Sequence, residues 1–199
     1  MVKVDKSGSQ KGVKVNEPTP VVVLMGGGVD STVLVDMYHK RRTRMIGVHY
    51  NYGQRSLIGE RRAVAFISKL YGVKLLRRSL SVPFSSRGDE FIGRNALLIM
   101  AAAAEFGTKP IRIAFGAHSM SPYYDCSARF IESIQSILDG YFSGTVVLEA
   151  PLLGFKKAEI AGYAKKRKVP LNATFSCTRA SSKPCGKCPS CLDRRALGV

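Results

Sequence analysis

Val21-Val22-Val23-Leu24-Met25 is an unbroken apolar run, the pattern of a strand covered on both faces. It runs straight into Gly26-Gly27-Gly28-Val29-Asp30-Ser31, and residues Thr32 to Tyr38 then take helical spacing. The alternation continues downstream. Arg44 to Tyr50 reads as a second strand, and Ser56 to Leu70 as a helix with Leu57, Ala63, Val64, Ile67 and Leu70 on its apolar face, closed by Gly72. Val73 to Leu76 predicts a third strand, residues 79–93 a loop, and Arg94 to Phe106 a helix. Ile111 to Phe115 and Thr145 to Leu148 predict the last strands, with a helix over Phe130 to Leu138 between them. Lys156 to Lys166 is a final helix, stopped by Pro170. Strands and helices alternating at these intervals predict an α/β fold, a doubly wound and mainly five-stranded parallel sheet. Ligands of such sheets bind beyond the carboxyl ends of the strands. Gly26–Ser31, Tyr50–Arg55, residues 79–95 and Gly116–Cys126 all fall at those ends, so one cleft would collect them.

The glycine turn carries the first chemistry. Three glycines allow backbone N–H groups to converge, and the first N–H groups of the following helix have no partner within it. Strand, turn and helix start therefore make an anion site. The Lys-Ser/Thr of a Walker loop is missing, and Asp30 and Ser31 follow the turn instead. A ligand-free tight turn is the plainer alternative.

Composition narrows the picture modestly. At 199 residues and 45% hydrophobic, the chain suits one α/β domain with a small appendage. No apolar run reaches the length of a membrane span, and residues 1–19 lack the apolar core of a signal peptide. They read as a flexible basic tail, and the expected location is cytoplasmic. Net charge is +17, with 11 basic and 2 acidic residues from Lys156 onward. Such a balance fits nucleic acid, another acidic partner or an anionic substrate; neither nucleic acid nor a membrane is the expected partner, though the charge does not exclude nucleic acid. Lys40-Arg41-Arg42-Thr43-Arg44 reads as a solvated helix end, where the dipole favours cations. His49 and His118 stand isolated and read as structural.

Four of the five cysteines, Cys177, Cys185, Cys188 and Cys191, fall within fifteen residues. Thiols at i, i+3 and i+6 with a fourth nearby have the spacing of a tetrahedral metal site. Zinc is the expected ion, with a disulfide pair or an iron–sulfur cluster as alternatives. This divides the chain into the tail 1–19, a nucleotide domain over 20–170 and a zinc-binding segment over 171–199.

These residues carry a family resemblance. Gly26–Ser31 resembles the pyrophosphate loop (PP-loop) of the N-type ATP pyrophosphatases, whose pattern is Ser-Gly-Gly-x-Asp-Ser. Within that group, Tyr52-Gly53-Gln54-Arg55, Gly93-Arg94-Asn95, Ser121-Pro122-Tyr123-Tyr124-Asp125-Cys126 and the stretch Thr174 to Cys191 resemble the 7-cyano-7-deazaguanine synthases of queuosine biosynthesis. Pro151-Leu152-Leu153 and Lys157-Ala158-Glu159-Ile160 fit as well. The resemblance implies a Rossmann-like fold and ATP-dependent activation of 7-carboxy-7-deazaguanine as an acyl adenylate. Ammonia then gives the amide, and a second activation the nitrile. It implies ATP contacts from Gly26, Gly27, Gly28, Val29, Asp30, Ser31, Tyr50 and Gln54, and substrate contacts from Tyr52, Arg94, Asn95, Tyr123, Asp125 and Cys126. Asp30, Ser31, Arg94 and Lys157 would be catalytic, with Asp30 orienting the loop or a magnesium ion. A homodimer is expected.

Three features depart from the family. Gly26 replaces the first serine of the loop, the stretch before Gly93 is short, and the chain is strongly basic. The shorter rim would suit a larger acceptor than ammonia, such as a protein amine or a partner subunit. A tRNA-modifying PP-loop enzyme and a non-catalytic nucleotide-binding module are the remaining alternatives.

Overall fold

The computed structural model describes residues 19–198 except Val82, Asp89 and Met120, so the tail expected over 1–19 lies outside the described residues save Thr19. The chain begins with β1 (Val21–Leu24) and α1 (Val29–Lys40), followed by β2 (Met45–Asn51), α2 (Leu57–Tyr71) and β3 (Lys74–Ser79). A short antiparallel pair, β4 (Ser86–Arg87) and β5 (Glu90–Phe91), precedes α3 (Arg94–Phe106) and β6 (Ile111–Ala114). Then come α4 (Ala128–Phe142), β7 (Val146–Glu149), α5 (Lys157–Lys166) and α6 (Pro189–Ala196).

The main sheet has the order β3-β2-β1-β6-β7 and is parallel throughout, with Val21 in register with Met45 on one side and Arg112 on the other. Alternate residues of β1 serve opposite faces. Val21 and Val23 pack with Val33, Ile67 and Ile160 of α1, α2 and α5. Val22 and Leu24 pack with Ile99 and Leu138 of α3 and α4. This two-sided burial is why the strand reads as solid apolar sequence rather than as an alternation. The winding reverses beside β1, between β1 and β6, and opens a crevice at their carboxyl ends.

The C-terminal segment does not stand apart. Phe175 N–H donates to Gly27 O at 2.8 Å, and Gly59 N–H donates to Ser181 O at 2.7 Å. A Cβ on Gly59 would lie 2.6 Å from the Phe175 ring, so glycine there admits the ring against α2. Phe175, Cys177, Cys188 and Cys191 form a small core with Ala63 of α2. The structure departs from the predicted elements in three places. Helix α1 starts at Val29, placing Asp30 and Ser31 in its first turn; the 79–93 loop contains the β4–β5 pair; and α6 was not foreseen. Two-residue strands and an eight-residue helix anchored by cysteines carry too little periodicity to register. Among the described residues, no helix is long and apolar enough to cross a membrane.

Candidate active site

A cleft of about 660 Å³ opens at the carboxyl ends of β1, β2 and β6. Its floor is the glycine turn. Gly26 and Gly28 line it, while Gly27 sits beneath with φ +77°, where a Cβ would meet Glu60 O at 3.0 Å and Ala63 Cβ at 3.1 Å. Gly28, the N-cap of α1, has no side chain to cap the helix, so the N–H groups of its first turn lack an intrahelical acceptor. Ser31 and Thr32 hydroxyls turn back to donate to Gly28 O, at 3.3 and 2.8 Å. Gly116 closes the turn from β6, where a Cβ would stand 3.1 Å from Asp30 Cβ. An uncapped helix start beside a glycine turn suits a polyphosphate.

Around this floor lie Asp30, His118, Lys157 and Asp193. Burial pushes the Asp30 carboxyl above its usual range, against the pull of His118 and Lys157. Burial also lowers His118, despite the attraction of Asp30, which favours its neutral form at pH 7. Lys157, the first residue of α5, donates to Asp193 Oδ2 of α6 at 2.6 Å. The Lys157 ammonium is thus held by a carboxylate from the C-terminal segment. Phe175, Ser176, Thr178 and Ser190 from that segment also line the cleft.

The other half of the cleft is built at the start of α3. Gly93 adopts φ +72° and turns the chain into the helix, and Arg94 lies beside Tyr52. The guanidinium carbon is 5.8 Å from the Tyr52 ring centroid, Nη1 donates to Tyr52 Oη at 3.4 Å, and Nε donates to Asn95 Oδ1 at 3.2 Å. Asp125 and Cys126 face the same space, the thiol 3.6 Å from Asp125 Oδ1 and raised above its usual range by burial. Tyr52 packs edge-on against Phe84 and Phe91, both at 5.7 Å, so the β4–β5 pair forms an aromatic rim.

The cleft therefore brings together Gly26, Gly28, Asp30, Ser31, Tyr50, Tyr52, Arg94, Asn95, Tyr123, Asp125, Cys126 and Lys157. Gly27, Val29 and Gln54 do not line it. The Gln54 amide is fully engaged: Nε2 donates to Tyr50 O at 2.9 Å and Glu60 Oε2 at 2.8 Å, and Oε1 accepts from Tyr52 N–H at 2.9 Å. It braces the end of β2. Val29 packs with the α1 core, and the Tyr50 hydroxyl is buried within electrostatic reach of Glu105 and Arg78. Sequence reasoning missed Asp193, Ser176, Thr178 and Glu60, and assigned His118 a structural role. Ser176 and Thr178 lie in the Thr174–Cys191 stretch that carries the resemblance, whereas no motif flags Asp193 and Glu60, which α6 and α2 bring to the cleft.

Cys177, Cys185, Cys188 and Cys191 present sulfurs all within 4.8 Å of one another. Tetrahedral zinc–thiolate bonds of about 2.3 Å need sulfurs about 3.8 Å apart, which this grouping approaches. Lys187 and Cys188 N–H groups donate to Cys185 Sγ at 3.4 and 3.3 Å and lower that thiol below its usual range. The four thiols are free, so the set fits a single soft metal ion.

The family described as "Queuosine biosynthesis protein QueC" matches residues 20–89 and 89–197, nearly the whole described chain. The chain belongs to the QueC family. The 7-cyano-7-deazaguanine synthase of Prochlorococcus marinus (strain AS9601) is 30% identical, across 88% of this chain and 92% of that protein. The 7-cyano-7-deazaguanine synthase 2 of Desulfitobacterium hafniense (strain Y51) is 29% identical, across 87% and 85%. Among solved structures, NMN synthetase from Francisella tularensis superposes with a TM-score of 0.55 over 91% of this chain and 78% of that one; at 13% identity it shows the PP-loop type of fold. A Cβ on Gly26 would meet nothing within 4 Å, so the structure leaves room for a side chain there.

Proposed function

We propose that this chain is a 7-cyano-7-deazaguanine synthase, using ATP to convert 7-carboxy-7-deazaguanine into the nitrile with ammonia as the nitrogen source. The observation that carries the reading is the pairing, in one cleft, of an uncapped helix start beside Lys157 with an arginine-centred pocket at Arg94. The first suits the triphosphate of ATP and the second a carboxylated purine-like ring. The names of the relatives support the substrate.

In this reading the substrate carboxylate attacks the α-phosphorus of ATP, the bond to the β-phosphate breaks, and pyrophosphate leaves with the electron pair. Gly26, Gly28 and Ser31 N–H groups and the Lys157 ammonium face the charge that builds there, where fixed donors lower the barrier most. Ammonia displaces AMP and loses a proton, giving the amide. A second adenylation on the amide oxygen lets AMP leave with that oxygen as the nitrogen loses its protons. Asp125 would read the guanine-like edge, and Tyr52 would cover the ring. Cys177, Cys185, Cys188 and Cys191 would hold zinc as a structural ion, and Asp30 would orient the loop or a magnesium ion accompanying ATP. The aromatic rim shields the adenylate from water, whose attack competes with amide formation.

The test is mass spectrometry of products from purified protein, ATP, magnesium, ammonium and 7-carboxy-7-deazaguanine. AMP, pyrophosphate, amide and nitrile are expected in that order. ATP left intact over hours would overturn the reading, and arrest at the amide would confine it to the first half-reaction.

A further inference from the structure

At the opposite, amino-terminal edge of the sheet the fold assembles cations that are separate in sequence. Helices α1, α2 and α5 end there and are tied together through Asp36. This buried carboxylate accepts from Tyr71 Oη of α2 at 3.3 Å, from Tyr163 Oη of α5 at 2.8 Å and from Arg167 Nε at 3.1 Å. Two basic runs, 40–44 and 165–168, thereby emerge from neighbouring helix ends. Lys40, Arg41, Arg42, Arg44, Lys166 and Lys168 are all exposed. Among the described residues none of the six has a carboxylate partner, and Asp36 is already saturated.

The helix dipole does not explain this collection. It favours cations in the last turn and fades beyond it. That covers Lys40 and Lys166, whereas Arg42, Arg44 and Lys168 lie past the helix ends. Adjacent helix axes are about 8–10 Å apart, comparable to the screening length of about 10 Å at 0.1 M salt, so unpaired cations on the two ends repel. Between the ends of α1 and α2 a hollow of about 660 Å³ is lined by His39, Lys40, Arg42, Arg44 and Tyr71. The His39 and Tyr71 rings meet edge to face at 5.2 Å. Exposed cations beside a hollow with two rings match the pairing of backbone neutralisation and base contact used on unpaired strands.

The geometry points to a single-stranded nucleic acid site at this edge, with the phosphodiester backbone on the two basic runs and an unstacked base in the hollow. It is remote from the catalytic cleft and independent of the reaction assigned there. A rigid duplex would reach the protruding cations but not the hollow.

Fluorescence anisotropy of the full chain with a labelled 12-nucleotide single-stranded RNA, and the same sequence as DNA, tests it across 50 to 300 mM KCl. Micromolar or tighter binding at 100 mM salt is expected, with log K falling against log salt at a slope of about −3.5 to −4.2 for five or six phosphates. The Lys40→Glu/Arg42→Glu/Arg44→Glu and Lys166→Glu/Lys168→Glu variants should each weaken binding at least tenfold. Both should keep the wild-type melting temperature and ATP turnover, and a variant that failed to fold would leave the other as the test. Binding of the matching duplex should be at least fivefold weaker. Absence of binding at 100 mM salt, binding untouched by the folded charge reversals, or preference for the duplex or for phosphatidylserine vesicles would overturn the assignment.

Discussion

Gly26 and Gly27 are neighbours with opposite tolerances. A side chain on Gly26 would enter open space at the cleft wall, whereas one on Gly27 needs a left-handed backbone and collides with Glu60 O. Gly26→Ser is therefore expected to fold normally and to raise ATP turnover or leave it equal, by adding a hydroxyl donor beside the leaving phosphates; a tenfold loss in a coupled pyrophosphate assay would refute this. Gly27→Ala costs about 1–2 kcal/mol in backbone strain alone, before the collision, and should lower the melting temperature by several degrees. Asp30 gives a sharper test. Its pKa is raised on folding by burial, so its contribution to stability is fully present below the unfolded value near 4 and is lost as pH rises through the folded value. Asp30 thus favours the folded state less at neutral pH than in acid. Asp30→Asn should melt no lower than wild type at pH 7, with a smaller advantage or none at pH 4, while AMP formation falls at least a hundredfold. The glycines and Asp30 were legible as a loop because their spacing is local. The contrast between Gly26 and Gly27 was not, because α2 supplies the wall behind Gly27.

At the scale of elements, α6 links the thiolate cluster to the cleft. Cys188 precedes the helix, Cys191 lies in its first turn and Asp193 reaches Lys157. Loss of one thiol should therefore be felt at the nucleotide. Cys188→Ser is expected to lose bound zinc from about one per chain and to speed hydrogen exchange over residues 175–196, since metal binding and local folding are coupled. Its ATP turnover should fall even though every residue of the glycine turn remains. Asp193→Asn keeps the helix and removes the charge. Freed from its ion pair, Lys157 should lose its fixed position, raising KM for ATP severalfold more than it changes kcat, and Asp193→Glu should restore most of the loss. Equal kinetics in Asp193→Asn and wild type would reduce the pair to a surface contact. The cysteine spacing was readable because tetrahedral ligation imposes it over a few residues; the helix and its aspartate were not, because eight residues carry too few turns to show a period.

For the molecule as a whole, the two ends of the sheet carry different chemistry. ATP at a hundred times its Kd should stabilise the fold by about 2.7 kcal/mol, and substrate at the same excess by a similar further amount. The accompanying protection from hydrogen exchange should cover the glycine turn, the start of α3 and the C-terminal segment, leaving residues 39–44 unchanged. Protection spread evenly over both ends would place the ligand elsewhere. The alternation of apolar strands and amphipathic helices determined the parallel α/β architecture from sequence alone, because period and burial are written into consecutive residues. The glycine turn and the cysteine cluster were determined likewise, each being a short-range device. Only the tertiary structure decided that the cysteine segment is a wall of the cleft, that Asp193 holds Lys157, that Gln54 braces β2 rather than lining the cleft, and that residues 40–44 and 165–168 share one face. Those relations join residues far apart in the chain. They depend on the order β3-β2-β1-β6-β7 and on which helix ends the sheet brings side by side, and no local pattern encodes that order.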